Sequence, residues 1–173
     1  YKLAFEGDPV SAYGGILGFN RKVNLETARA FKSVFYEVIV APGYDQEALD
    51  LLTKRKNLRI LEVEQDTSST GQVEIRNISG GVLIQDIDVK RADRNTWTVV
   101  TEKPPSKEQL DDLAFAWTTV KHVKSNAIVL AKNNQLLGMG SGQPNRLNSI
   151  HLAVRAAGDS SSGSVLASDA FFP

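Results

Sequence analysis

The sequence contains no cysteine in its 173 residues. A disulfide framework, a thiolate metal site and a cysteine nucleophile are therefore excluded within these residues. The chain also lacks an excess of either charge, since 20 Lys and Arg balance 20 Asp and Glu. Affinity for nucleic acids and anionic membranes depends mainly on basic residues that neutralise phosphates, so we expect no nucleic-acid and no membrane partner.

Long apolar runs are missing as well. No stretch approaches the roughly 20 residues that span a bilayer, and no signal-peptide pattern is present. The lack of cysteine fits a reducing compartment, so we expect a cytoplasmic protein, or a plastid one if the source is a plant. The chain starts at Tyr1 and stops in the apolar Phe171-Phe172-Pro173, so we interpret both ends as cut from a longer domain.

Strand-like and helix-like segments alternate along the chain, which predicts an α/β fold with helices on the faces of a layered sheet. Asn24 and Asp45 are expected to cap helices, and Ser106 with Gln109 forms a capping box. Two lobes, 1–103 and 104–173, are predicted to join near Pro104-Pro105. The expected helices are 1–7, 25–32, 46–54, 107–120 and 145–157, and the expected strands are 34–40, 58–63, 81–85, 97–100, 126–131, 135–139 and 164–167.

Further local features are predicted between these elements. Residues 64–72 are polar and predict a surface loop, and Asn133-Asn134 predicts a hairpin turn. The helix over 107–120 is expected to carry an apolar face with Leu110, Leu113, Ala114 and Trp117.

A glycine-rich segment, Gly138-Met139-Gly140-Ser141-Gly142, precedes the last predicted helix. Glycines in such a place let backbone N–H groups approach an anionic or planar ligand at a helix N-terminus. The spacing departs from the dinucleotide-binding fingerprint, and the lysine of a nucleotide-binding P-loop is missing. Contact with a ligand and a plain tight turn are both open interpretations.

Two further polar residues, one on either side of this segment in the sequence, are candidate ligand contacts. Arg146 is expected in the first helical turn, where the helix dipole disfavours a cation, so a compensating contact is predicted. A ligand carbonyl or carboxylate would supply it, and the alternative is an arginine that curls into solvent. Asn126 opens an apolar strand, and its amide suits either a substrate carboxamide or nearby backbone groups.

The remaining ionisable candidates are two histidines and one glutamate. His122 could act as a general base near neutral pH, but its expected place at a helix C-terminus also explains it. His151 has no Cys or carboxylate at ligand spacing, so no metal site is predicted. Glu37 lies inside an apolar run, so it needs a partner such as a ligand amine or ribose hydroxyl, unless it faces solvent.

Six segments of the chain occur in the order of one known family. Together they resemble the AICAR transformylase domain of the bifunctional AICAR transformylase/IMP cyclohydrolase family. The resemblance covers nearly the whole chain and rests on Asp8–Gly15, Glu37–Pro42, Lys56–Arg59, Val123–Val129, Gly138–Arg146 and Ala167–Pro173.

The resemblance implies a fold related to the cytidine deaminases and a formyl transfer from 10-formyltetrahydrofolate to the 5-amino group of AICAR, a step of purine biosynthesis. A zinc deaminase is excluded, because the chain has no cysteine and no His-x-Glu motif. The family also implies a homodimer, and no IMP cyclohydrolase domain is expected within these residues.

The family's functional positions match particular residues of this chain. By resemblance, Asn126 is catalytic, and Asn126 and Arg146 lie near the AICAR carboxamide, with Gly14 and Glu37 as further AICAR contacts. Asp169 resembles a ligand of a structural monovalent cation, K⁺, and no other metal is implied. The positions that match the folate side of the site are Val10, Tyr13, Leu147 and Phe171.

One element of the family pattern is not found in the sequence. The general-base histidine belongs to a Lys-His-x-x-Pro-x-Gly motif, and Lys121-His122 occupies a different place and does not substitute for it. We therefore expect the isolated chain to be inactive. The alternatives are a non-catalytic α/β module that binds a purine nucleotide or folate, and a fragment of a dimer interface.

Overall fold

A computed structural model describes residues 1–64, 72–90 and 93–172 of the chain. The chain divides into two compact units, Tyr1–Lys90 and Arg91–Pro173, each with its own hydrophobic core. Both combine helices and strands, which confirms the predicted α/β class. The cytidine-deaminase-like layering and the lobe boundary at residues 103 and 104 stay predictions.

The first unit is built on a parallel sheet of three strands in the order β1, β2, β3. Parallel strands need crossover connections, and short helices provide them here. The largest fully buried side chains of its core are Phe31, Ile39, Leu52 and Val23. The elements are α1 (Lys2–Gly7), β1 (Gly15–Gly18), α2 (Leu25–Ala30), β2 (Tyr36–Ala41), α3 (Gln46–Leu52) and β3 (Arg59–Glu62).

Of the two predicted helix caps of this unit, one forms the expected side-chain hydrogen bond and the other does not. The Asn24 side chain accepts a hydrogen bond of 2.8 Å from the Thr27 N–H, which confirms it as the N-cap of α2. Asp45 precedes α3, but its side chain makes no capping hydrogen bond. Its carboxylate pairs with the Lys22 ammonium at 2.9 Å instead, so the expected capping role of this side chain is wrong.

An antiparallel hairpin completes the first unit, with β4 (Val73–Ile78) and β5 (Gly81–Asp86) paired along their length. Most of the loop expected over 64–72 lies outside the described residues.

The second unit contains an antiparallel sheet in the order β7, β6, β8. Alternate residues of β6 point to opposite faces, so Val129 packs toward α4 and Ile128 packs toward α5. The central strand is thereby covered on both sides. The elements are α4 (Lys107–Val120), β6 (Ile128–Lys132), β7 (Gln135–Gly140), α5 (Arg146–Ala157) and β8 (Val165–Ser168), with short 3₁₀ turns at Arg94–Thr96 and Gly158–Ser161.

Local sequence signals of this unit are largely confirmed. The capping box of Ser106 and Gln109 is formed in both directions. Asn133 and Asn134 have φ values of 54° and 55°, as a tight hairpin turn requires.

Two predictions for the second unit are wrong. Residues 97–100 form no strand, because none of the described strands pairs with them. The buried stripe of α4 contains Asp112, Ala116 and Val120, whereas Trp117 is exposed. A buried aspartate belongs to this stripe because its carboxylate accepts the Asn134 N–H at 2.7 Å.

No helix within the described ranges combines the length and the apolar character needed to cross a membrane.

Candidate functional site

The Asn126 side chain lies just before β6 and is held by one backbone carbonyl. Its Nδ2 donates to the Gln143 oxygen at 2.8 Å, and its backbone N–H donates to the same oxygen at 3.2 Å. A carbonyl can only accept, so this contact fixes which end of the amide carries the nitrogen. Asn126 Oδ1 makes no hydrogen bond with any described residue, so it is left as an acceptor for a ligand.

Ser149 fixes the backbone of the same residue. Its Oγ donates to the Asn126 carbonyl oxygen at 2.8 Å, and Ser149 is fully buried on α5. The sequence interpretation missed this residue. The sequence pattern that could have revealed it is the helical spacing of Ser149, Ala153 and Ala157. This spacing places all three on the buried face of the helix, where Ser149 is the one residue with a hydroxyl group.

The glycine-rich segment is part of a strand rather than a free loop. Gly138 and Gly140 belong to β7, and a Cβ at Gly140 would lie 2.0 Å from the Ser149 oxygen. The corresponding distance at Gly138 is 2.2 Å, to the Ala153 oxygen. These glycines therefore let the backbone of α5 pack directly on β7. Only Gly142, with φ of 65°, forms the tight turn, and its N–H donates to the Lys124 oxygen at 2.7 Å.

Arg146 is the first residue of α5, and a carboxylate compensates its charge there. Its Nη1 donates to Ser168 Oγ at 2.9 Å and to the Asp169 carboxylate. The side chain is only 10% exposed, so it does not curl into solvent. The predicted compensating contact is thus present and comes from the protein itself. Within the described ranges, Arg146 Nη2 and Nε donate to no other residue.

The Asp169 carboxylate accepts hydrogen bonds from three groups. It accepts the Ala127 N–H at 3.0 Å, the Ser125 hydroxyl and the Arg146 guanidinium. Burial alone would raise the pKa of the Asp169 carboxyl, but these donors together outweigh it and hold the pKa at about 2. Asp169 is therefore a carboxylate throughout the physiological pH range.

Asp169 was also expected to be a ligand of a monovalent cation, and the donors that surround its carboxylate bear on this expectation. No group of three or more His, Asp or Glu side chains that could hold a metal ion occurs among the residues the structure describes. A monovalent cation at Asp169 would share the carboxylate with a guanidinium of like charge. The contacts therefore favour Arg146 as the counter-charge, and the K⁺ site stays a prediction.

In the first unit, Gly14 and Glu37 lie at the same end of the β1–β2 pair. Gly14 has φ of 76°, and its N–H donates to the Phe35 oxygen at 2.9 Å. Gly15 pairs with Tyr36, and the register shifts before Ile16, so Glu37 falls at this irregularity. The Glu37 side chain is exposed, which agrees with the solvent-facing alternative.

The residues expected on the folate side are all surface residues in their own unit. They are large apolar side chains between 57% and 86% exposed, so each is available to contact an apolar ligand: Val10, Tyr13, Leu147 and Phe171. The turn that carries Val10 is fixed by Asp8, whose Oδ1 accepts the Ser11 N–H at 2.9 Å. This hydrogen bond lowers the pKa of the Asp8 carboxyl.

The two histidines lie apart from these contacts. His122 lies two residues after the last residue of α4, and its N–H donates to the Thr119 oxygen at 3.0 Å. This agrees with the structural explanation, a histidine at a helix C-terminus. His151 is an exposed residue of α5.

Known proteins provide an independent comparison. The profile of the family described as "AICARFT/IMPCHase bienzyme" matches residues 1–156. The chain is 54% identical to the "Bifunctional purine biosynthesis protein purH" of Dictyostelium discoideum, covering 100% of this chain and 33% of that protein. It is 44% identical to the protein of the same description from Oceanobacillus iheyensis, covering 100% and 34%. The relative from Limosilactobacillus reuteri is 46% identical, with 98% and 34% covered. The chain therefore spans about a third of the length of these relatives.

Proposed function

Because this chain belongs to the AICARFT/IMPCHase bienzyme family, we propose that it carries the substrate-holding side of an AICAR transformylase site. The reaction is the transfer of a formyl group from 10-formyltetrahydrofolate to the 5-amino group of AICAR. The observation that carries the proposal concerns the side chains of Asn126 and Arg146. Asn126 is bound to the protein by its Nδ2 and Arg146 by its Nη1, and the other polar atoms of both side chains are available to a ligand.

The chemistry of the substrate explains why such a pair is needed. The aminoimidazole amine is a poor nucleophile, because its lone pair is delocalised toward the neighbouring carboxamide. Asn126 Oδ1 can accept from the carboxamide NH₂, and the remaining N–H groups of Arg146 can donate to its oxygen. Holding the carboxamide twisted out of the plane of the ring would weaken this delocalisation and restore electron density at the amine.

The proposed transfer exchanges one C–N bond for another and moves one proton. The AICAR amine nitrogen attacks the formyl carbon, and the bond from that carbon to N10 of the folate breaks. A general base removes the proton of the amine, and N10 of the leaving tetrahydrofolate gains a proton. Asn126 and Arg146 act by orienting the acceptor, and neither of them accepts the proton in this proposal.

The family resemblance also assigns contacts to residues of the first unit. Gly14 and Glu37 would contact AICAR, since both lie at one end of the β1–β2 pair. Val10 and Tyr13 would line the folate side, as would Leu147 and Phe171, and their exposed apolar side chains support this assignment. A homodimer and a cytoplasmic location are further parts of the proposal that rest on the family resemblance, and a K⁺ ion at Asp169 is the alternative to its pairing with Arg146.

The test compares the complete protein that carries this sequence with the isolated chain. We expect formyl transfer from the complete protein and none from the isolated chain, because the Lys-His-x-x-Pro-x-Gly motif is missing from these residues. Turnover by the isolated chain would refute the predicted inactivity. A complete protein that binds AICAR and a folate analogue in calorimetric titrations without transferring the formyl group would instead favour the non-catalytic binding module.

A further inference from the structure

Asp169 connects three elements of the second unit. It follows the end of β8, and its carboxylate accepts the N–H of Ala127, the residue between Asn126 and β6. The Asp169 N–H also donates to the Ala127 oxygen at 3.4 Å, so the two residues pair in both directions. The same carboxylate accepts from Arg146 at the start of α5. Both proposed AICAR contacts of this unit are therefore adjacent to a single acidic residue.

The position of Arg146 makes this acidic residue necessary. A cation in the first turn of a helix is repelled by the helix dipole. The side chains of Arg146 and Asp169 are only 10% and 20% exposed, so water screens their attraction weakly. Removing one member of such a pair leaves an uncompensated charge, which then moves toward solvent. Without Asp169, the guanidinium would lose the contact that holds it against β8.

We propose that Asp169 is a positioning residue for formyl transfer, which holds Arg146 by Nη1 and leaves Nη2 and Nε free to bind the substrate carboxamide. Through the Ala127 N–H, the same carboxylate fixes the strand edge that carries Asn126. Asp169 touches neither substrate in this arrangement and acts through its two neighbours. This inference rests on the proposed function, since it assigns Asp169 a role in the same site.

The first measurement is independent of activity. The complete protein and its Asp169→Asn variant are treated with phenylglyoxal, and modification of Arg146 is followed by mass spectrometry. The exposed Arg155 on the same helix provides an internal reference. We expect Arg146 to react several-fold faster in the variant while Arg155 reacts equally in both proteins. Equal protection of Arg146 in both proteins would overturn the proposed positioning.

The second measurement is a double-mutant cycle in the transfer assay. Asp169→Asn is expected to lower kcat/KM for AICAR about tenfold and to change the KM for the folate by less than about twofold. In the Arg146→Ala background the further loss should be clearly smaller, because only the part that acts through the Ala127 N–H and Asn126 remains. Asp159→Asn, which replaces an exposed aspartate after α5, is the matched control and should leave the kinetics unchanged.

The outcomes separate this inference from the proposed function. Equal losses from Asp169→Asn in both backgrounds would overturn the positioning role, even if transfer is confirmed. A loss that appears in potassium chloride and disappears in choline chloride would also overturn it, in favour of a cation ligand. Wild-type transfer by Arg146→Ala would overturn the proposed carboxamide contact, and the phenylglyoxal result would still decide whether Asp169 holds Arg146.

Discussion

Ser149 on α5 donates a 2.8 Å hydrogen bond to the backbone carbonyl of Asn126, so a buried hydroxyl ties the helix to the strand edge of the candidate site. Ser149 lies three positions after Arg146, so the first turns of α5 carry one proposed carboxamide ligand and bind the backbone of the other. This relationship makes the serine a test of how the site is built.

Ser149→Ala is expected to destabilise the protein by about 1–3 kcal/mol, because the Asn126 carbonyl loses its buried donor. The variant should also transfer formyl groups more slowly, since the Asn126 backbone is less well fixed. Denaturant unfolding and steady-state kinetics measure the two effects. Ser160→Ala replaces an exposed serine and is the control. An unfolding free energy equal to that of the control would contradict the importance of this hydrogen bond.

Gly140→Ala adds a single methyl group, but it is expected to lower the stability of the protein strongly. The new Cβ would lie 2.0 Å from the Ser149 oxygen, so helix and strand must separate, at a cost of roughly 3 kcal/mol or more. Gly81→Ala in β5 is the matched control, because a Cβ added there would meet no atom within 4 Å. Thermal unfolding compares the two variants. A midpoint for Gly140→Ala within experimental error of the control would show that the close packing does not matter.

Asn126→Ala and Arg146→Ala are expected to depress formyl transfer in the complete protein, each by about a hundredfold, a size typical of a lost oriented hydrogen bond in an active site. Asn148→Ala and Arg155→Ala change exposed residues of the same types on α5 and serve as controls. Rates are measured with saturating folate and varied AICAR. Wild-type rates in either test variant would contradict the role assigned to that residue.

The stability contributed by Asp169 is expected to depend on pH. Its folded-state pKa of about 2 lies below the ordinary value of 3.8, so the folded state favours the carboxylate. The contribution is therefore fully present above about pH 5 and is lost as the pH falls toward 2. Since the side chain is 20% exposed, Asp169→Asn should cost on the order of 1–2 kcal/mol at pH 7.

The measurement for Asp169 is the difference in unfolding free energy between wild type and Asp169→Asn across pH 3 to 7. This difference should shrink as the pH decreases, because protonation removes the charge in the wild type as well. A difference that stays constant or grows toward acid would show that the carboxylate is not what stabilises the fold.

Signals that depend on neighbouring residues were readable from the sequence. The capping box at Ser106 and the Asn133-Asn134 turn are local, because the backbone geometry of each segment is determined by its own side chains. The need for a counter-charge at Arg146 also followed from one helix, since the dipole acts within its first turn. Which residue supplies that charge could not follow, because Asp169 lies 23 positions away and meets Arg146 only through the sheet.

The wrong predictions for the glycine-rich segment and for α4 also arise from contacts between residues distant in the sequence. The glycine-rich segment indicated a loop because glycine is typical of turns, but Gly138 and Gly140 serve a contact with α5 that sequence spacing does not reveal. The apolar face expected for α4 included Trp117, whereas a buried Asp112 occupies the inner stripe because the hairpin turn offers it an N–H. Tertiary partners decided both cases.

The direct contact between α5 and β7 also has a consequence for ligand affinity. Where Gly140 meets the Ser149 carbonyl, no side chain lies between the two backbones, so no rotamer change can alter their spacing. The relative placement of Asn126 and Arg146 is then fixed when the chain folds, and little conformational entropy remains to be lost when a ligand arrives. A site arranged in this way should bind its acceptor with a less unfavourable entropy than one assembled from mobile loops.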